Sequence, residues 1–327
     1  MKDKDLKKKT TLFFILVLMI TVLSSCVQPA TVKPLVEVIE GVPMVLETPA
    51  PMVYTDGLGR TVTVKTIPQR IVSLAPSATE ILYAVGAGRQ MVGRDSFSNY
   101  PEESKTLTDV GGSMGSYSYE VVTSLNPDLV VAAEINTPEQ VKALEDLGLT
   151  VYYIANPASL EGLYAILQTI GQITGHVDTA ATLVNSLKTR VEVITAKTAA
   201  ITTTPLVFYE LDGSEPSKPW TAGPGTFIDQ LIAVAGGKNV GSVLSGSWAQ
   251  ISAEELLLQN PQIILLGDAA YGTTPEQVAA RAGWNSIDAV VNGKVFAFND
   301  DLVSRPGPRL VDALEELSKL LHPELYQ

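Results

Sequence analysis

The apolar positions of this chain fall into two series of alternating strand-like and helix-like segments, separated by a stretch that is helical throughout. In the first series, residues 54–65 (YTDGLGRTVTVK) read as a turn followed by alternating Thr and Val, a hairpin signal. Residues 71–74 form a short aliphatic strand. Ser77 and Glu80 have the spacing of a capping box, which predicts a helix that stops at Gly86 or Gly88. Further strands are expected at 91–93, 129–132 and 151–154, and helices at 120–125 and 140–147. Uninterrupted aliphatic strands between helices predict a parallel sheet covered on both faces.

The middle stretch differs. Ser159 caps a helix with Leu160, Leu163, Leu167 and Ile170 on one face, loosened by Gly171 and Gly175. A second helix over 177–199 places Val177, Ala181, Val184, Leu187, Val191 and Ile194 at helical spacing. It would span about 35 Å, enough to bridge two lobes; the alternative is a long surface helix within one domain. The strand–helix alternation restarts at Pro205, with strands at 206–209, 263–266 and 295–298 and helices at 227–235, 253–259 and 311–321. The expected fold is α/β: two Rossmann-like lobes with parallel sheets, joined by a single long helix, with a ligand cleft between them. The boundaries are 53–158 for the first lobe, 159–204 for the linking helices and 205–327 for the second lobe.

The two series also repeat in sequence. LYAVGAGRQMVG at 82–93 is echoed by LIAVAGGKNVG at 231–241. SYEVVTSLNPDLVVAA at 118–133 is echoed by SAEELLLQNPQIILLG at 252–267. In each second echo a glutamate, Glu120 or Glu254, precedes an Asn-Pro pair and an aliphatic run. Two blocks repeated in the same order suggest two lobes of like architecture. By themselves the two glutamates read as charges placed near helix N-termini, worth roughly 0.3–1 kcal/mol each.

The N-terminus stands outside this pattern. Residues 1–9 hold five lysines, and 11–23 form an apolar run of signal-peptide length. Leu23-Ser24-Ser25-Cys26 follows, so 1–25 reads as a lipoprotein leader and Cys26, the only cysteine, as the lipidation site. One thiol excludes an intramolecular disulfide. Residues 26–52 contain five prolines and read as an extended, disordered tether. The formal charge of −12 argues against nucleic acid as a partner. His176 and His322 are far apart and lie in no cluster of metal-ligand spacing, which disfavours a metal site and a Ser-His-Asp hydrolase alike. Val85-Gly86-Ala87-Gly88 closes a helix instead of linking strand to helix, so a dinucleotide-binding reading fails on context.

Five segments in order, IVSLAPSATEILYAVGAGRQMVG, DSFSNYP, LNPDLVVA, GSWAQISAEELLLQNPQIILL and NDDLVSRPGPR, resemble the substrate-binding proteins of ABC importers for cobalamin, haem and iron–siderophores. The resemblance covers roughly residues 53–327 and is strongest to the cobalamin receptors. It implies an extracytoplasmic lipoprotein, anchored to the membrane at Cys26. Such a protein captures a small-molecule ligand, a corrinoid or another metal chelate, and delivers it to an ABC permease dimer with its ATPase. Haem and ferric siderophores are the alternative ligands, and a cell-surface enzyme is the alternative of another class. The resemblance implies no catalytic residues, no resident cofactor and no protein-bound metal.

Position by position, Phe97 matches a tyrosine that lies against the corrin, and Trp220 and Trp248 match cleft aromatics of the second lobe. Asp301 and Arg305 match an acid and a base at the ligand's polar edge, and Ser77 matches a small residue at a helix start. Met114 and Ala133 stand where the cobalamin receptors place tryptophans. Glu120 and Glu254 match the glutamates that pair with permease arginines, one per lobe. From the residues alone, several alternatives stay open. Trp248 reads as a loop residue, either packing or touching ligand; Tyr100 either lines the cleft or packs; Arg305 either meets ligand or braces its loop through carbonyls; Trp284 reads as core.

Overall fold

The computed structural model describes residues 51–112 and 115–327. The predicted leader, Cys26, nearly all of the tether, and Met114 lie outside the described residues.

The first lobe opens with the expected antiparallel hairpin, β1 (Met52–Thr55) and β2 (Thr61–Val64). A five-stranded sheet follows, built from β3 (Ile71–Ser73), β4 (Met91–Arg94), β5 (Thr108–Asp109), β6 (Leu129–Ala133) and β7 (Val151–Ile154) in the order β5-β4-β3-β6-β7. Every pairing in it is parallel. All residues of β6 and β7 are buried, which is why both read as unbroken apolar runs. Three helices serve this sheet: α1 (Pro76–Ala84), α2 (Tyr119–Ser124) and α3 (Pro138–Asp146).

The start of α1 departs from expectation. Its N-cap is Ala75, with no side-chain cap, so Ser77 and Glu80 do not form a capping box. Pro76 opens the helix, so Ser77 lies inside the first turn and not at the cap, and Ala75 at the cap has no side-chain acceptor. The Glu80 carboxylate is engaged elsewhere, as described below. The C-terminal end agrees with the sequence: Gly86 adopts φ 102°, a left-handed conformation that suits glycine.

Two linking helices follow, α4 (Leu160–Thr174), capped by Ser159, and α5 (Val177–Thr198). With 22 residues, α5 is about 33 Å long. Its buried stripe is Ala180, Val184, Leu187 and Ile194; Val177 is exposed and Ala180 takes the inward place expected of Ala181. The rotation follows from close packing on α4, where a Cβ on Gly171 would lie 2.4 Å from that of Ala180.

The second lobe has a four-stranded parallel sheet of β8 (Leu206–Glu210), β10 (Lys238–Asn239), β12 (Ile263–Leu266) and β13 (Val295–Ala297), in the order β10-β8-β12-β13. A separate antiparallel pair, β9 (Trp220–Ala222) with β11 (Trp248–Gln250), was not expected from sequence. The helices are α6 (Phe227–Val234), α7 (Ala253–Gln259), α8 (Pro275–Ala279), α9 (Asp288–Val291) and α10 (Leu310–Leu321). Helix α5 reaches this lobe through Arg190, which pairs with Asp312 and Glu315 of α10 at 2.5 and 2.7 Å. One continuous core runs from Ile71 and Leu129 through Ile170 and Val184 to Val207 and Leu314, so both lobes belong to one compact unit.

The sequence repeat has a structural counterpart. Strand β6 lies between β3 and β7, and β12 between β8 and β13, each preceded by the repeated helix. Ser118 and Ser252 cap these helices, accepting from the amides of Val121 at 3.3 Å and Glu255 at 3.1 Å. Asn126 and Asn260 are the non-glycine residues with positive φ among the described residues, at 45° and 51°. Asparagine tolerates this conformation better than other side chains, and the proline after it cannot continue the helix. Asn260 also accepts from the Asp288 amide at 2.8 Å.

Replacing Asn260 with alanine is therefore expected to cost about 1–2 kcal/mol in unfolding free energy, measured by urea denaturation. Glycine at position 126, where the side chain does less, should cost far less.

Candidate ligand-binding cleft and docking residues

The two lobes meet at loops leaving the C-terminal ends of their strands. Glu80, on α1, is only 3% exposed. Its two carboxylate oxygens receive Nε and Nη2 of Arg309, at the start of α10, at 2.8 and 2.5 Å. Arg309 also lies over the ring of Tyr100, 4.2 Å from its centroid. Arg305 donates to Asn99 at 2.6 Å, pairs with Asp301 at 2.8 Å and comes within 3.5 Å of Glu80. Burial pushes the Glu80 carboxyl up, and the two guanidinium groups pull it back only in part. The loop after β4 and the loop before α10 are thus tied together across the lobes.

The loop after β4 is held from beneath. Asp95 is buried and accepts from the Phe97 amide at 2.9 Å and from the Ser98 hydroxyl. Thr79 of α1 joins Ser98 to Ser73 of β3, each contact 2.8 Å long. Burial pushes the Asp95 carboxyl up, against the hydrogen bonds from Ser98 and Phe97. With its root fixed, the loop presents Phe97 to solvent at 52% exposure. Nearby, Tyr117 donates to the Leu74 carbonyl and accepts from Asn136 at 2.8 and 2.7 Å, and burial raises its hydroxyl to about 12.

On the second lobe the tryptophans come from β9 and β11. Trp248 is paired with Ala222, and Trp220 with Gln250. Alternate residues share a face of a strand, so both tryptophans project from one face of this small sheet. The opposite face is buried at Thr221, whose hydroxyl donates to the Tyr209 carbonyl at 2.7 Å. The rings remain 40% and 38% exposed, Trp248 leaning on Phe227 with centroids 5.6 Å apart. Gly223 closes the pair: a Cβ there would stand 1.9 Å from the Gly246 carbonyl oxygen.

Carboxylates crowd the ends of the second-lobe strands. Glu210 is buried in a bidentate pair with Arg281. Asp300 accepts from Tyr209 and Ser304, both at 2.6 Å. Asp268 accepts from the Gly213 amide and from Thr273 through Oδ2, while its buried Oδ1 has no partner. No group of three or more His, Cys, Asp or Glu side chains among the described residues is arranged to hold a metal ion.

The structure gathers most of the sequence-predicted residues at these strand ends. Phe97, Trp220 and Trp248 are exposed aromatics there, and Asp301 and Arg305 form an ion pair. Ser77 is buried in the first turn of α1. Trp248 lies on a strand and not on a loop, because its partner strand is supplied from before α6. Arg305 binds side chains instead of carbonyls; the carbonyl contact belongs to Arg309, which donates to Asp301 O at 3.3 Å. Trp284 is core, as expected. Sequence reading missed Arg309, Asn99, Ile135 after β6 and Tyr271 after β12, the last 89% exposed. A large exposed side chain just beyond an aliphatic strand was the available signal for Ile135 and Tyr271. A cavity of about 650 Å³ also borders this region, but Glu80, Tyr83, Tyr100, Pro101 and Leu107 line it from the first lobe alone, away from the tryptophans.

Glu120 and Glu254 occupy the same place in their lobes, one residue into α2 and α7 past the first. Both are exposed, and neither has an ion-pair partner among the described residues.

Known proteins share this fold. A family model described as periplasmic binding protein matches residues 71–302. An uncharacterized ABC transporter substrate-binding lipoprotein of Bacillus subtilis is 33% identical over 85% of this chain and 87% of its own. A cobalamin-binding protein of Halobacterium salinarum is 30% identical over 83% of this chain and 74% of its own. Among solved structures, a periplasmic heme-binding protein from Roseiflexus superposes with a TM-score of 0.70 at 27% identity, covering 79% of this chain and 99% of that one.

The burial of the three tryptophans predicts their accessibility. Acrylamide should quench Trp220 and Trp248 readily, and a Trp220→Phe/Trp248→Phe double variant should retain only the resistant emission of Trp284.

Proposed function

The chain belongs to the periplasmic binding protein family and is a substrate-binding protein of an ABC importer; we propose that its ligand is a corrinoid, held between Phe97 on one lobe and Trp220 and Trp248 on the other. The observation that carries this reading is the pair of half-exposed tryptophans on one face of the β9–β11 sheet. A flat macrocycle gains stacking area from such a surface, typically about 0.5–1.5 kcal/mol per aromatic contact beyond burial. The cobalamin-binding relative from Halobacterium supports the corrinoid, and the heme-binding neighbour keeps haem, or a ferric siderophore, as the second reading. Asp301 and Arg305 would meet the ligand's polar rim, and Ser77 and Met114 complete the expected contacts.

Delivery requires docking on the permease dimer, which works with its ATPase. Glu120 and Glu254, exposed at equivalent helix starts and without an ion pair among the described residues, suit arginines on that partner. Cys26 would carry the lipid, with the proline-rich segment after it as tether. The lipoprotein relative from Bacillus supports this anchor, and no helix among the described residues is long and apolar enough to cross a membrane.

Tryptophan fluorescence titrated with cobalamin, cobinamide, haem and a ferric siderophore tests the ligand. Quenching is expected with the corrinoids at the lowest concentrations; a response to haem or siderophore alone would shift the assignment, and no response to any would remove it. A Glu120→Ala/Glu254→Ala variant should keep its binding curve and lose uptake in cells, measured with a labelled corrinoid. Because α5 joins the lobes as one continuous helix and Glu80 ties to Arg309 across them, small-angle scattering should show only slight compaction with cobinamide; a large change would contradict this reading.

A further inference from the structure

The guanidinium groups beside the cleft are already paired with the protein's own carboxylates. Arg309 is bidentate on Glu80. Arg305 is divided between Asp301, Asn99 and Glu80. Arg281 is bidentate on Glu210, and Arg94 pairs with Asp109 at 3.1 Å. These four guanidinium side chains are between 9% and 13% exposed and each is paired, so none of them offers an uncompensated charge to a ligand. Lys218, exposed in the turn before Trp220, is an ammonium group without an ion pair among the described residues. Asp268 adds a buried carboxylate oxygen with no partner at the end of β12.

Glu80 stands apart from the other carboxylates because it crosses from the opposite lobe. Its oxygens sit where two guanidinium groups converge, and so take up the charge that would otherwise attract a ligand carboxylate. We infer that Glu80 holds the place of a ligand carboxylate, and that it makes the cleft select rings bearing neutral carboxamides over the same rings bearing carboxylates. A carboxylate entering here would lose its hydration, find no free guanidinium and face Asp301 and Asp212 as like charges, which interfaces penalise strongly. A carboxamide can donate to those same aspartates and accept from backbone or Asn99.

This inference rests on the corrinoid reading for the ring but not for the charge rule, so two ring pairs separate them. Cobinamide and cobyrinic acid share the corrin and differ chiefly in amides against carboxylates; haem bis-amide and haem do the same for porphyrin. Equilibrium binding to the whole mature protein is measured for all four. Cobinamide should bind about tenfold or more tightly than cobyrinic acid. Equal affinities, or tighter binding of the acid, overturn the inference. If neither corrin binds, the corrinoid reading falls and the porphyrin pair decides the charge rule: tighter haem bis-amide supports it, tighter or equal haem overturns it. Failure of all four overturns both.

Glu80→Gln should narrow the preference by raising affinity for the acid; an unchanged ratio in a folded variant removes Glu80 from the role. Should that variant not fold, as judged by circular dichroism, Asp301→Asn releases Arg305 from its exposed side and should shift the ratio the same way. An unchanged ratio there removes the arginines' occupancy as the cause.

Discussion

A carboxylate of the first lobe, buried between two guanidinium groups of the second, fixes the geometry on which the cleft depends. Glu80 and Arg309 form the tightest polar contact between the lobes, and Arg305 and Tyr100 close around it. Removing one partner from such a pair costs about 3–5 kcal/mol, because the other charge is left desolvated. The pin also sets positions beyond itself. Arg305 reaches Asn99, two residues from Phe97, so the aromatic on the first lobe and the polar loop on the second are placed by one network. Helix α5 joins the lobes behind this network through packing, and the pin joins them in front through charge.

The repeat divides the molecule into what is shared and what is particular. Shared features are those any such lobe needs: a serine cap, an exposed glutamate, an asparagine that turns the chain at positive φ, and a buried strand in the middle of the sheet. The particular features lie on the loops between. The first lobe contributes a loop held by the buried Asp95; the second contributes an extra pair of strands with two tryptophans. The two walls of the cleft are thus built by different means on equivalent frames.

How far sequence could be read follows from the range of each interaction. The parallel strands and most helices were legible because local signals agreed: aliphatic runs, Ser or Thr caps, and glycines or asparagines at helix ends. Ser118, Ser159 and Ser252 all cap as expected. Ser77 and Glu80 show the same local pattern and fail, because Arg309, 229 positions away, claims the carboxylate. The β9–β11 pair was invisible for a related reason: two three-residue strands separated by a helix have no periodicity to detect. The candidate residues Phe97, Trp220, Trp248, Asp301 and Arg305 came from a resemblance to known receptors. Arg309 lies within the same motif, but only the fold reveals its partner, Glu80.

The interrupted pairing of β9 and β11 has a consequence for how such a receptor diversifies. Helix α6 sits in the chain between the two strands, and Phe227 at its start touches Trp248. The aromatic face is therefore an appliqué, fastened at its edges by Thr221 and the Gly223–Gly246 contact and contributing neither tryptophan to the core. Lineages can recolour that face residue by residue while the frame beneath stays constant. A transporter could in this way change its cargo without renegotiating its fit to the membrane partner.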